Sequence, residues 1–328
     1  MGWFVTIRKI FRERPIKITL ASLCFLSFIG LNFWDYYAPL SIYDWNKKEI
    51  SKIKVADVDN FTFAVFGDNK GNCSFFEPLL QNISQDREIL FAIDGGDLVS
   101  NGKKGQYRRF LNQVEKNLGI PFLTAIGNHD LNNGSDNNYR EIFGPTYYGF
   151  EIGQSYFIVL DATTESGFDK VKLQWLQEEL KRAQTSKTCF IFMHVPPFDP
   201  RGNGFHKCLP GKDMKDLLYL FRFYKVTHLF ASHIHGYFSG VWEGIPYTIT
   251  GGAGAKLQGS DPQHFFHHYV KVHVHDGKIE MMVKPIHQGN IMLLFSDLIK
   301  EGVLEWALLF GACIFLLMLG LSMRKGKP

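Results

Sequence analysis

The chain is expected to fold as an α/β domain with mixed sheets. Three features point there: short apolar runs alternate with helical stretches between residues 61 and 230, polar clusters follow successive apolar runs, and from residue 237 onward the pattern turns to strands. The first run, 61–66 (FTFAVF), has strand length and is followed by a helix near 75–85 and a second strand at 89–93 (ILFAI). A helix near 104–117, a strand at 121–126 (PFLTAI), a short helix near 137–143 and a strand at 155–160 (SYFIVL) continue the rhythm. The stretch from about 169 to 184 is amphipathic, with Val171, Leu173, Trp175, Leu176 and Leu180 compatible with one buried face. It leads to a strand at 188–193 (TCFIFM), a helix at 212–224 and a strand at 226–230. Asp276-Gly277, between HHYVKVHV and KIEMMVKP, reads as a hairpin turn. No internal repeat or low-complexity linker interrupts the series.

The 328 residues are 45% apolar and 21% charged, which excludes a disordered or collagen-like chain. The mean hydropathy of −0.09 hides a split. Apolar residues concentrate at the two ends and the middle reads as a soluble domain, so the chain is not a polytopic transporter. Residues 18–34 carry no charge, and 306–323 form a second uncharged run of roughly 27 Å as a helix. Arg8, Lys9, Arg12, Arg14 and Lys17 precede the first run against Glu13 alone, and Arg324, Lys325 and Lys327 follow the second.

By the positive-inside rule both ends are expected to be cytoplasmic. The organisation is then a basic N-terminus (1–17), a transmembrane helix (18–38), a domain at 60–287 held outside the cytoplasm, an amphipathic linker (288–302), a second transmembrane helix (303–323) and a basic tail (324–328). A buried core helix is the bland reading of either run. A cleavable signal peptide is the rival for the first, but Tyr36-Tyr37-Ala38 puts a bulky residue where cleavage needs a small one. The termini hold the positive charge and the remainder is net negative, so the overall charge of +4 implies no nucleic-acid partner.

Of five cysteines, Cys24 and Cys313 fall in the apolar runs and Cys189 in a strand. That leaves Cys73 and Cys208, a pair that an oxidising compartment would permit to bridge. Four glycosylation sequons (Asn60, Asn72, Asn82, Asn133) are too short a motif to carry weight.

The chemistry lies in the polar clusters. Gly67-Asp68-Asn69-Lys70 follows the first strand, Gly96-Asp97 the second and Gly127-Asn128-His129-Asp130 the third, with His194 after FIFM and His233-Ile234-His235 after HLFAS. Loops at the carboxyl ends of strands are where α/β proteins place sites, so these residues can converge. Two carboxylates, an amide oxygen and three imidazoles suit Mn, Fe or Zn, and they are too many for one tetrahedral ion. Two divalent ions bridged by a carboxylate would explain the number, and such a pair can clamp a phosphoryl group during in-line displacement by hydroxide.

In this ordered set the chain resembles the calcineurin-like metallophosphoesterases, whose pattern is D-x-H, GD, GNH(D/E), H and GHxH; the resemblance covers roughly residues 60–275. It implies a four-layer αββα sandwich with two mixed sheets. It also implies that Asp68 and His235 bind the first ion, that Asp97 bridges, and that Asn128, His194 and His233 bind the second. His129 would be the general acid, with Asp130 orienting its ring. The chain departs from the pattern at Lys70, which stands where the family has a histidine ligand. The first ion is therefore expected to be held weakly, and Lys70, with Asn128, becomes a candidate for gripping the substrate phosphate.

The expected activity is membrane-anchored, metal-dependent hydrolysis of a phosphomonoester, phosphodiester or diphosphate, with lipid-linked phosphates among the candidate substrates. Two alternatives stay open. One is a non-catalytic metal-binding or regulatory domain on the same fold, favoured by Lys70 and opposed by His129. The other is a cytosol-facing lipid diphosphate hydrolase, opposed by the basic residues at both ends.

Overall fold

The computed structural model describes residues 42–163, 168–202 and 208–289, together with 19, 22–27, 30, 293 and 311. The chain divides into two units, one of Met1–Pro39 with Ile291–Pro328 and the other of Leu40–Asn290. In the first, residues 22–27 are helical. No helix among the described residues is long and apolar enough to cross a membrane. Most of the spans expected at 18–38 and 303–323, their basic flanks and most of the 288–302 linker lie outside the described residues.

The second unit holds two mixed sheets. The first has the order β11-β10-β1-β2-β3, made of β1 (Asn60–Phe66), β2 (Ile89–Asp94), β3 (Phe122–Thr124), β10 (His268–His275) and β11 (Lys278–Pro285). Its strands β1, β2 and β3 run parallel, and the hairpin β10-β11 joins β1 antiparallel. The second sheet has the order β4-β5-β6-β7-β9-β8, from β4 (Tyr148–Ile152), β5 (Ser155–Leu160), β6 (Thr188–Met193), β7 (His228–Ala231), β8 (Tyr237–Trp242) and β9 (Ile245–Thr250). There β5, β6, β7 and β9 are parallel, with β4 and β8 antiparallel at the two edges.

Alternation along each strand sorts side chains into layers. Phe61, Phe63 and Val65 of β1 and Phe91 of β2 meet Phe157, Phe190, Phe192 and Phe230 of the other sheet in one buried cluster. Ala64, Phe66 and Ala92 face the opposite way, onto helices α2 (Cys73–Gln85) and α3 (Lys104–Asn117). Ile158, Ile191 and Leu229 turn away from the aromatic cluster onto α5 (Lys170–Arg182) and α6 (Gly211–Phe223). The result is the αββα sandwich in four layers.

The strands at 155–160 and 188–193 and the helix at 104–117 lie where the sequence places them. Asp276 and Gly277 both have positive φ (45° and 75°), as the expected tight hairpin turn requires. The short helix expected near 137–143 is α4 (Asn137–Phe143), and the sequence reading passed over two elements, β4 and α1 (Trp45–Lys52). Of these α1 was unanticipated because its contribution is polar. Trp45 Nε1 donates to the Phe122 carbonyl at 2.8 Å, Asn46 Oδ1 accepts from Thr124 N at 2.9 Å, and Glu49 Oε2 accepts from Phe122 N at 3.3 Å. Side chains of α1 thus satisfy the backbone of β3, the edge strand of its sheet.

Candidate metal centre

Asp68 follows β1, Asp97 follows β2, and Asn128, His129 and Asp130 form a short 3-10 turn after β3. His194 follows β6, and His233 and His235 follow β7. All five loops leave the carboxyl ends of parallel strands. The backbone there is forced: Asp68, Lys70, Asp97 and His233 have φ of 62°, 50°, 59° and 70°. Left-handed conformations at non-glycine residues are costly and cluster at functional sites. Hydrogen bonds between the loops hold them, with Asp68 N donating to Gly96 O and Lys70 N to Asp97 O, both at 2.9 Å. Gly127 is required where these loops touch, because a Cβ there would run into the backbone nitrogen and carboxylate of Asp97.

The side chains converge. Ligand atoms of Asp68, Asp97 and His194, all buried, lie within 4.8 Å of one another. His194 Nε2 is 3.3 Å from Asp97 Oδ1 and 3.9 Å from Asp68 Oδ1. His235 Nε2 is 3.4 Å from Asp68 Oδ1, and His233 Nδ1 is 3.3 Å from His194 Nε2. The other ring nitrogens of two of these histidines meet carbonyl oxygens: His194 Nδ1 faces Gly95 O at 3.0 Å and His235 Nδ1 faces Lys256 O at 2.6 Å. An Nδ1–H donated to a carbonyl directs Nε2 into the cluster, the arrangement that metal-binding imidazoles use.

Two observations test whether a cation fits. Asp68 Oδ1 and Asn128 Oδ1 are buried and accept no hydrogen bond, an expense that an ion would relieve. Burial alone would raise the Asp68 carboxyl, but the neighbouring imidazoles of His235 and His194 hold it well below the usual carboxylate range. A carboxylate that stays ionised among imidazoles is a ready ligand. The donors fit a divalent ion, and Asp68, Asp97, Asn128, His194, His233 and His235 are the residues that would hold metal here.

His129 stands at the rim, its side chain 42% exposed and its Nε2 3.9 Å from Asp97 Oδ2. Its Nδ1 faces Ser100 O at 3.0 Å, and its backbone N–H donates to Asp97 Oδ1. Asp130 departs from its expected part, for it does not orient the His129 ring. It is fully buried and accepts four backbone N–H groups, from Gly127, Asp97 and Leu98 on Oδ2 and from Val99 on Oδ1. Adjacent residues on a tight turn send their side chains different ways, and Asp130 clamps the loops after β2 and β3 together. Lys70 reaches inward, its Nζ 3.5 Å from Asp97 Oδ2.

The sequence reading passed over Asn69 and Asp94. Asn69 Nδ2 donates to Asp94 Oδ2 at 2.6 Å, and Asn69 Oδ1 accepts from Gly71 N, shaping the loop that carries Asp68 and Lys70. The signal was a carboxylate closing an otherwise apolar strand. Cys73 and Cys208 are not bridged; Cys73 Sγ accepts from Gln113 Nε2 at 3.3 Å.

Comparison with known proteins meets this geometry. The profile of the family described as calcineurin-like phosphoesterase matches residues 61–237. A probable cyclic nucleotide phosphodiesterase of Rhodopseudomonas palustris is 28% identical over 183 residues, covering 50% of this chain and 64% of that protein. The phosphoenolpyruvate phosphatase of Allium cepa is 27% identical over 230 residues, covering 59% and 45%. The chain thus spans less than two thirds of the length of these curated relatives. Among solved structures, the purple acid phosphatase PPD1 of yellow lupin superposes with a TM-score of 0.58 at 16% identity, covering 72% of this chain and 55% of that one. PhoD gives 0.52 at 10% identity, covering 72% and 71%.

Proposed function

Because the chain belongs to the calcineurin-like phosphoesterase family, whose matched relatives include a phosphodiesterase and phosphatases, we propose that it hydrolyses a phosphate ester at the Asp68, Asp97 and His194 cluster with a divalent cation bound there. The observation that carries this reading is the pair of buried, unaccepting oxygens on Asp68 and Asn128 beside imidazoles that face inward. When bound, the metal supplies positive charge that neutralises the phosphoryl oxygens and activates water for in-line attack.

The chain's own residues do the rest. Asp68, Asp97, Asn128, His194, His233 and His235 fix the cation. His129 is the general acid: with Nδ1 turned to Ser100 O, Nε2 is the nitrogen that delivers a proton to the leaving oxygen. Its exposure leaves room for a leaving group to approach. Lys70 and Asn128 meet the phosphate, the ammonium as a point charge.

The substrate is a phosphomonoester, a phosphodiester or a diphosphate, and the name of the Rhodopseudomonas relative supports including cyclic nucleotides in the first panel. The domain at 60–287 would be tethered outside the cytoplasm by 18–38 and 303–323, a reading supported by their uncharged sequences and basic flanks.

Hydrolysis of bis(p-nitrophenyl) phosphate and of p-nitrophenyl phosphate by the full chain in detergent, with Mn²⁺ or EDTA, tests the activity. Turnover of at least one ester that EDTA abolishes is expected. Turnover that survives complete metal removal would sink the proposal. For orientation, a reporter active only outside the cytoplasm, fused after residue 328, should be silent.

A further inference from the structure

We infer that this centre holds a single divalent ion and that the Lys70 ammonium occupies the place of a second. The inference deepens the metal-dependent reading above and rests on it.

Lys70 is not a side chain that happens to lie nearby. Its backbone sits in the left-handed region (φ 50°) and its N–H is tied to Asp97 O at 2.9 Å. The stem therefore leaves the loop in a set direction and brings Nζ to 3.5 Å from Asp97 Oδ2, with the side chain only 20% exposed. A surface lysine would keep its charge in water. This one turns it onto a carboxylate that is itself 1% exposed.

The two oxygens of Asp97 are divided between partners. Oδ1 accepts the His129 N–H at 2.9 Å and faces His194 Nε2 at 3.3 Å. Oδ2 faces the Lys70 ammonium. A carboxylate that bridges two ions through both oxygens offers one to each, and Lys70 stands at the oxygen that a second ion bound in this way would need. Asp68 Oδ1, 3.9 Å from His194 Nε2 and 3.4 Å from His235 Nε2, belongs to the cluster that holds the one ion.

Charge points the same way. Asp68 and Asp97 supply two negative charges; one divalent ion with the ammonium already exceeds them by one. A second divalent ion would leave an excess of three, with an ammonium held a few ångströms away and unable to ligate, so its affinity should fall at least about 100-fold below that of the first. An ammonium in this place still provides what a second ion would offer a phosphate, a fixed positive charge, now with hydrogen-bond donors attached.

The test is the metal content of the full chain in detergent. Apo protein is equilibrated with Mn²⁺, freed of unbound metal by gel filtration, and measured by inductively coupled plasma mass spectrometry and by electron paramagnetic resonance. One Mn²⁺ per chain with the six-line signal of an isolated ion is expected. Two ions per chain with an exchange-coupled signal would overturn the inference and leave the phosphoesterase reading standing; no bound metal would overturn both. Lys70→His should restore the second ion and the coupled signal. A folded Lys70→His chain that still binds one ion would overturn the assignment to Lys70, and if the variant does not fold, the wild-type stoichiometry decides alone.

Discussion

His129 and Asp130 are neighbours in sequence with separate duties, and substitutions should separate them. His129→Ala removes a group at the rim and none of the donors around Asp68, so metal content should persist. Turnover of an alkyl phosphate ester should drop by about 10²–10⁴-fold, and turnover of a nitrophenyl ester by much less, because only the poor leaving group needs a proton. Equal losses on both esters in steady-state kinetics would remove His129 from the acid role. Asp130→Ala instead strands four backbone N–H groups in a dry interior, and at about 1–3 kcal/mol for the worst-placed of them the loss should reach about 3–5 kcal/mol in urea unfolding. A variant as stable as wild type would mean that the loops after β2 and β3 do not depend on this clamp. The convergence of the candidate ligands was legible in the sequence, because residue type, order and position after strands all agreed. The part played by Asp130 was not, since sequence adjacency says nothing about which way two side chains leave a tight turn.

The α1 helix shows what periodicity overlooks. It earned no place in the sequence reading because its outstanding contacts are hydrogen bonds from Trp45, Asn46 and Glu49 to the backbone of β3. An apolar pattern cannot announce such bonds. By contrast the hairpin β10-β11 was plain, since Asp276-Gly277 tolerates the two positive φ values that the turn demands. Asn46→Ala should cost about 1–3 kcal/mol by leaving the Thr124 amide buried and unpaired. A chain starting at residue 60 should expose the edge of β3 and aggregate, whereas one starting at residue 40 should not. Light scattering of the two truncations at equal concentration checks this, and equal monodispersity would show that β3 needs no cover.

The assembled sandwich carries a pH dependence outside the candidate metal centre. His228 and His268 are buried in it, with Nε2 of each beside a β9 hydroxyl, Thr248 Oγ1 at 3.0 Å and Thr250 Oγ1 at 3.1 Å. Burial lowers both imidazoles to about 4. The folded values lie below the unfolded value, so the unfolded chain takes up protons first as the pH falls. Stability is therefore full above about pH 6.5 and is lost between there and pH 4, by about 2 kcal/mol per histidine at pH 5. Urea midpoints at pH 7.5 and pH 5.0 should show the drop, and His228→Gln should reduce it; a flat profile would mean that neither imidazole is held neutral.

Pro78 lies inside α2 and has no N–H to give the Ser74 carbonyl, and Gly289 N fills the gap at 2.6 Å. The last stretch of the domain is thereby fastened to the helix that begins just after the Asp68 and Lys70 loop. In deuterium exchange, the Gly289 amide should act as a single-site clock for that attachment. It will exchange no faster than the chain end lifts from α2, and its protection will lengthen if filling the metal centre steadies the loop and the helix behind it.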